Sequence, residues 1–447
     1  MAMLNWLSGP SRTPLHGEIR VPGDKSISHR AIMLAALAEG CSYISGFLEG
    51  EDTWATASIF KQLGVRIETP TAGERRVHGV GLHGLGVPEA ALDCGNAGTA
   101  MRLLTGLLAG QVFDSVLTGD ASLLKRPMRR VLEPLRRMGA GFDARNGDFP
   151  PLHIHRRSSL NGCRVTPEMA SAQVKSAILL AGLYARGNTE IHELHPTRDY
   201  TERMLAAFGW PIEFSPGYAR LSGGHVLEAT DIVVPADFSS AAFLLVAASV
   251  IPGSELRLLD VGLNPRRTGL LQALRAMGAD IREGPTREQG GERVADLQVC
   301  HAPLHGVDIP EAWVADMIDE FPVLFVAAAL AQGRTRIRGA AELRVKESDR
   351  LTVMATGLRQ LGVVIEEYPD GALIEGGSIH GGEVDSHADH RCAMAFAVAA
   401  QMATAAVLIR DCRNVNTSFP GFVPLVRQAG FELALSQPGA DQPADAT

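Results

Sequence analysis

Several short segments gather the residue types needed to hold an anion and to move a proton. VPGDKSISHRAIMLAALAEG reads as a turn and then a helix, capped near Ser26 or Ser28 and closed by Gly40, so Lys25, Ser26 and Arg30 crowd one helix N-terminus. Free N–H groups, a hydroxyl and two cations there would suit a phosphate or carboxylate, although an ordinary capped surface helix has the same outline. LDCGNAGTAMRLLTGLLAG sets Gly95, Asn96, Ala97, Gly98 and Thr99 before another apolar helix, where small residues let a ligand approach the backbone. GDASLLKRPMRRVLEPLRRMGA supplies Lys125, Arg126, Arg129 and Arg130, of which at least one should face a cleft while the rest form a solvated face.

MASAQVKSAILLAGL opens a helix with Ser171 and Gln173, which suit a polyhydroxylated ligand, and carries Lys175 one turn in. PTRDYTERM adds Arg198 and Asp199 ahead of the next helix, a second candidate phosphate contact. Further on, ADMIDEFPVLFVAAAL places Asp316, Asp319 and Glu320 before a strongly apolar helix. A carboxylate entering an apolar element can have a raised pKa and act as a base; plain N-capping by Asp is the competing reading. ELRVKESDRL packs Arg344, Lys346, Glu347, Asp349 and Arg350 together, and HADHRCAMAFAVAA follows with His387, Asp389, His390 and Arg391. His387 and His390 lack zincin spacing and a third ligand, so no metal is expected.

The elements that must position these residues are written six times. KQLGVRIE, RRMGAGFD, AAFGWPIEF, RAMGADIRE, RQLGVVIEE and RQAGFELAL each end a helix on a glycine (Gly64, Gly139, Gly209, Gly278, Gly362, Gly430) and re-enter as a strand. A left-handed C′ residue explains the glycine, and recurrence roughly every 70 residues marks a repeated helix-and-sheet unit. Two Pro-containing segments, IRVPGD at 19–24 and DIVVPADFS at 231–239, read as paired crossovers. They predict an α/β chain of two domains, one discontinuous (1–21 plus 236–435) and one continuous (22–235), with a disordered polar tail at 436–447.

Composition agrees with packed helices on sheets: 46% of the residues are hydrophobic and only 5% aromatic. The net charge of -8 and scattered cations argue against a nucleic-acid partner. Cys41, Cys94, Cys163, Cys300, Cys392 and Cys412 lie too far apart for CxxC chemistry and read as reduced thiols. Nothing resembles a signal peptide or membrane span, which predicts a cytoplasmic protein without a membrane partner. GVGLHG at 79–84 matches GxGxxG, but a loop with Pro88 follows where a dinucleotide site needs a helix.

PGDKSISHRA, LDCGNAGTAMRL, GDASLLKRPM, ASAQVKSAILLAGL, MIDEFP, RVKESDRL, ADHRCAMAFA and NTSFPGF, in this order, make the chain similar to the 5-enolpyruvylshikimate-3-phosphate synthase family. The likeness spans nearly the whole sequence and is strongest to the bacterial branch. It implies two domains of three βαβαββ units each, an inside-out, barrel-like arrangement hinged by two crossover strands, with reaction on closure. It implies that phosphoenolpyruvate gives its enolpyruvyl group to the 5-hydroxyl of shikimate 3-phosphate through a tetrahedral adduct, with no cofactor. The resemblance puts Lys25, Ser26, Arg30, Ser171, Ala172, Gln173, Arg198, Asp319 and Lys346 around shikimate 3-phosphate. Around phosphoenolpyruvate it puts Lys25, Asn96, Gly98, Arg126, Gln173, Arg350 and Arg391. Asp319 would take the hydroxyl proton, and Glu347 or Lys25 would protonate the methylene carbon.

Four positions depart from common family patterns: Ala172 for a second Ser, Thr417 for Lys, Leu103 for the Pro of glyphosate-sensitive relatives, and Gly98 where this branch commonly has Ala. The alternatives are a UDP-N-acetylglucosamine enolpyruvyl transferase, whose loop bears a reactive Cys absent from ASLLKRPM, and a non-catalytic phospho-ligand binding protein. A monomer is expected, with glyphosate as an inhibitor.

Overall fold

A computed structural model describes residues 4–156 and 159–436. The expected tail therefore lies outside the described residues, except for Ser436, which ends the last strand. The chain divides into two compact units. One runs to Val21 and resumes over Ala236–Arg287 and from Val294 on; the other comprises Pro22–Pro235 with Glu288–Arg293. They are called here the split unit and the inserted unit.

In the inserted unit the helices are α1 (Lys25–Leu37), α2 (Glu51–Gln62), α3 (Gly98–Ala109), α4 (Arg129–Arg137), α5 (Ala172–Gly182) and α6 (Tyr200–Ala207). The split unit has α7 (Phe238–Val250), α8 (Gly269–Ala276), the single turn α9 (Glu311–Val314), α10 (Phe321–Leu330), α11 (Arg350–Gln360), α12 (His390–Ala400) and α13 (Phe422–Ala429). Each repeat thus pairs a buried first helix with a more exposed second one. α7 is apolar around its whole circumference and buried along its length. Such a helix is stable only inside a core, and here it packs on α10 and α12. α1, α3 and α5 fill the centre of the inserted unit in the same way, under a separate hydrophobic core.

The second helices α2, α4, α6, α8, α11 and α13 are followed by Gly64, Gly139, Gly209, Gly278, Gly362 and Gly430, with φ of 86°, 99°, 79°, 95°, 87° and 116°. An L side chain would be strained at each, which is why the periodic glycine was visible in the sequence. After the first five of these glycines the chain returns as an antiparallel hairpin, for instance Gly141–Arg145 with Phe149–His155. Among the described residues the six larger sheets share one order, an edge segment parallel to the first strand of the repeat, then the third strand, then the second; Leu160–Asn161 and Ala185–Arg186 form a separate two-stranded parallel pair.

The crossovers are reciprocal. Strand His16–Ile19, which precedes α1, pairs with Glu255–Gly262 after α7, whereas Ile232–Val233, which precedes α7, pairs with Glu39–Ser45 after α1. The sheet of the sixth repeat is completed by the N-terminal strand Asn5–Ser8, which lies between Val407–Arg410 and Leu433–Ser436. No helix among the described residues is long and apolar enough to cross a membrane. No disulfide joins the cysteines: Cys94, Cys392 and Cys412 are buried, Cys163 and Cys300 half-buried, and Cys41 exposed.

Candidate active site

Many of the residues singled out by sequence stand at the N-termini of the buried helices α1, α3, α5, α10 and α12, whereas Arg126, Arg198, Lys346, Glu347 and Arg350 precede or open the second helices α4, α6 and α11. In the inserted unit, α1 is capped by Asp24, whose Oδ1 accepts from the Ile27 N–H at 2.9 Å. This corrects the expected Ser26 or Ser28 cap: Asp24 already serves the Ile27 N–H, Ser26 lies inside the helix, and the buried Ser28 Oγ accepts from the Leu48 N–H at 3.1 Å. The helix also stops at Leu37, and Gly40 is part of strand Glu39–Ser45. Lys25 forms an ion pair with Asp52, in the first turn of α2.

Arg30 is almost fully buried and ties three helices together. Its Nε donates to Thr201 Oγ1 at 2.7 Å, Nη2 to Ser176 Oγ at 2.8 Å and Nη1 to the Ser26 carbonyl at 2.8 Å. Burial and the neighbouring charge of Arg198 lower its pKa to about 10, so it is still a cation at neutral pH.

The start of α3 is made of small residues under two guanidinium groups. Arg126 Nη2 donates to Asn96 Oδ1 at 2.7 Å, and Asn96 Nδ2 donates to Asp120 at 2.7 Å. A Cβ on Gly98 would stand 3.0 Å from Arg126 Nη1 and 3.5 Å from Arg102 Nη1. Gln173 joins α3 to α5, its Nε2 donating to Thr99 Oγ1 at 2.8 Å and its Oε1 accepting from Arg102 at 2.5 Å. Ser171 caps α5 and Ala172 is buried beside it.

In the split unit, Asp237 and Asp389 cap α7 and α12. Asp319 does not cap α10, nor does its carboxylate enter the apolar helix. It accepts from Arg267 Nη1 at 2.8 Å and lies 3.6 Å from Arg350 Nη1 and 3.8 Å from Lys346 Nζ. The adjoining Glu320 is buried, accepts from Ser239 and lies 3.7 Å from both Arg267 and Arg391. Arg391 also donates to the Asp319 carbonyl at 3.1 Å. Arg350 is 1% exposed and binds Glu347 at 2.5 Å and Asp389 at 2.8 Å. Burial would raise the Asp389 carboxyl, but Arg350 and nearby groups hold it below the usual carboxylate range. Burial pushes Lys346 down, against the pull of Asp319 and Glu342.

Lys25, Ser26, Arg30, Asn96, Gly98, Arg126, Ser171, Gln173 and Arg198 therefore belong to the inserted unit, and Asp319, Lys346, Glu347, Arg350 and Arg391 to the split unit. Sequence reasoning missed Asp52, Arg102, Asp237, Ser239 and Arg267. One signal was available, because VPGDKS and VPADFS repeat the pattern V-P-x-D-x-S, and its Asp caps a buried helix both times. Thr417 is buried, with its hydroxyl donating to the Asn414 carbonyl at 2.7 Å.

Chemically, the inserted unit presents clustered cations and amides fit for anions, and the split unit a carboxylate ringed by three cations. Residues 10–425 match the family model described as EPSP synthase (3-phosphoshikimate 1-carboxyvinyltransferase). A 3-phosphoshikimate 1-carboxyvinyltransferase of Xanthomonas euvesicatoria is 66% identical over 421 residues, which is 94% of this chain and 96% of the relative. One from Xanthomonas oryzae is 64% identical over 427 residues, 96% of this chain and 97% of the relative. A solved EPSP synthase from Acinetobacter baumannii superposes with a TM-score of 0.88 at 48% identity, over 97% of this chain and 100% of that one.

Proposed function

The chain belongs to the EPSP synthase (3-phosphoshikimate 1-carboxyvinyltransferase) family, and from that premise we infer how its two sets of residues divide one reaction. The reaction is enolpyruvyl transfer from phosphoenolpyruvate to shikimate 3-phosphate, in aromatic biosynthesis. The family match favours this over a sugar-nucleotide acceptor or a purely ligand-binding role.

In our reading, Lys25, Ser26, Arg30, Ser171, Gln173 and Arg198 receive shikimate 3-phosphate, beside Ala172 and with Asp319 and Lys346. Phosphoenolpyruvate meets Lys25, Asn96, Gly98, Arg126, Gln173, Arg350 and Arg391. The observation that carries the mechanism is the Asp319 carboxylate fixed among Arg267, Lys346 and Arg350. A base held in this way can take the 5-hydroxyl proton without moving, while Glu347 or Lys25 gives a proton to the methylene carbon. The oxygen adds to C2 as C3 becomes a methyl group; the C2–O bond to phosphate then breaks while a base takes a proton back from that methyl group, which restores the C2=C3 double bond as an enol ether. Positioning and fixed cations supply the stabilisation, so no metal or organic cofactor is invoked.

The test is phosphate release from phosphoenolpyruvate with shikimate 3-phosphate present or withheld. Release that depends on shikimate 3-phosphate is expected; release with UDP-N-acetylglucosamine instead, or with neither, overturns the reading. We further place the enzyme in the cytoplasm as a monomer without membrane or nucleic-acid partners, in keeping with its net charge of -8.

Glyphosate in this family competes with phosphoenolpyruvate but is slightly longer. Gly98 leaves open the space that a Cβ would take beneath Arg126. Gly98→Ala should therefore weaken glyphosate inhibition by about tenfold or more at matched phosphoenolpyruvate saturation. Equal inhibition of the two proteins would remove Gly98 from the pocket.

A further inference from the structure

One buried ionic cluster has no part in this chemistry. Lys175, on α5, is 4% exposed, and its ammonium meets Glu193 Oε2 at 2.9 Å, Glu202 Oε1 at 2.8 Å and the Thr197 carbonyl at 3.2 Å. Those contacts use all three ammonium donors. The two carboxylates are just as buried, at 3% and 2%. Glu193 in turn accepts from the Thr197 N–H at 3.2 Å and from the Thr197 hydroxyl.

Two carboxylates against one ammonium is an expensive way to fill a core, since an apolar replacement is often as stable. Such a cluster earns its place by fixing geometry. Here it pins Thr197, the residue before Arg198, to the helix that begins with Ser171, Ala172 and Gln173. Glu202 stands in the first turn of α6, beside Thr201, which holds Arg30. Burial raises the Glu202 carboxyl, and the two glutamates hold Lys175 above its usual value, so the ammonium is retained.

We propose that Lys175, Glu193 and Glu202 are positioning residues for the acceptor's phosphate, clamping the 193–199 loop so that Arg198 is held in register with Ser171 and Arg30. This rests on the assignment of Arg198 to shikimate 3-phosphate. Glu193→Gln, which keeps shape but halves the counter-charge, should raise the KM for shikimate 3-phosphate about tenfold, with kcat and the KM for phosphoenolpyruvate within twofold. Thr197→Val removes only the hydroxyl, a gentler change for folding, and should raise the same KM about threefold.

Arg198→Ala is the reference, and Glu193→Gln combined with Arg198→Ala closes a double-mutant cycle. The clamp requires the pair to be markedly less than multiplicative, because an absent Arg198 has nothing left to misplace. Multiplicative effects, an unchanged KM in the Glu193 and Thr197 variants, or equal changes in both KM values and kcat overturn the clamp. An Arg198→Ala variant with normal KM for shikimate 3-phosphate instead overturns the assignment of Arg198, and the clamp with it.

Discussion

Asp319→Asn should bind shikimate 3-phosphate nearly as well as the parent and lose about two to four orders of magnitude in turnover. The amide keeps the shape and can still meet Lys346 and Arg350 through its oxygen, but it cannot accept the hydroxyl proton. The side chain is already held by Arg267 at 2.8 Å, so the substitution leaves little slack to be filled by a rearranged base. The adjoining Glu320 is buried and itself engaged by Ser239. Single-turnover rates together with direct binding of shikimate 3-phosphate separate the two effects. Turnover within about tenfold of the parent would remove Asp319 from the role of base.

Arg350→Met should cost roughly 3–5 kcal/mol of stability at neutral pH, because it strands the buried carboxylate of Asp389. Arg350 is 1% exposed and Asp389 is not exposed at all. The pH dependence gives the sharper signature. With Arg350 present, the folded-state pKa of Asp389 is lowered, so its contribution is complete above the ordinary aspartate value of about 3.9 and is lost as pH falls through the folded value. Without Arg350, burial and the charge of Glu347 should outweigh His390 and the Ser348, Arg391 and Cys392 donors that remain, raising that pKa, so the variant gains protons on folding and recovers stability as pH falls from neutral. The gap between the two proteins should therefore narrow towards about pH 4. Denaturant midpoints across that range measure it, and a gap under about 1 kcal/mol at pH 7 would show that Asp389 is satisfied by other groups.

How much of this was legible in the sequence depends on the range of the interaction. The helix-terminal glycines could be read because a left-handed residue after a helix is a local demand, and Gly64 or Gly362 answers it whatever lies elsewhere. The α1 cap was misplaced because Asp24, Ser26 and Ser28 are all good cap residues within one turn, and only the Ile27 N–H shows which is used. Arg267 was invisible as a partner of Asp319 because nothing local marks it, and 52 residues separate them. Arg102 was hidden in the same way, as a cation inside an otherwise apolar helix whose purpose appears only when Gln173 is brought alongside.

The N-terminal strand Asn5–Ser8 carries a consequence for synthesis. Trp6 is made about 400 residues ahead of its strand neighbours, Ile409 and Leu435. At translation speeds of about 5–20 residues per second, that strand waits on the order of 20–80 s for its partners. The inserted unit has no such delay, because its segment Pro22–Pro235 is continuous and its ends meet early, the Asp24 N–H donating to the Pro235 carbonyl at 2.8 Å. The nascent chain thus carries a folded insert behind an unpaired leading strand whose Leu7 is still 47% exposed in the finished protein. That strand is the segment a holdase would be expected to cover. Because Asn5 finally lies opposite Ser436, a permuted chain in which a short linker leads from residue 436 to residue 5, opened at an exposed loop, would be made with this strand already beside its partner.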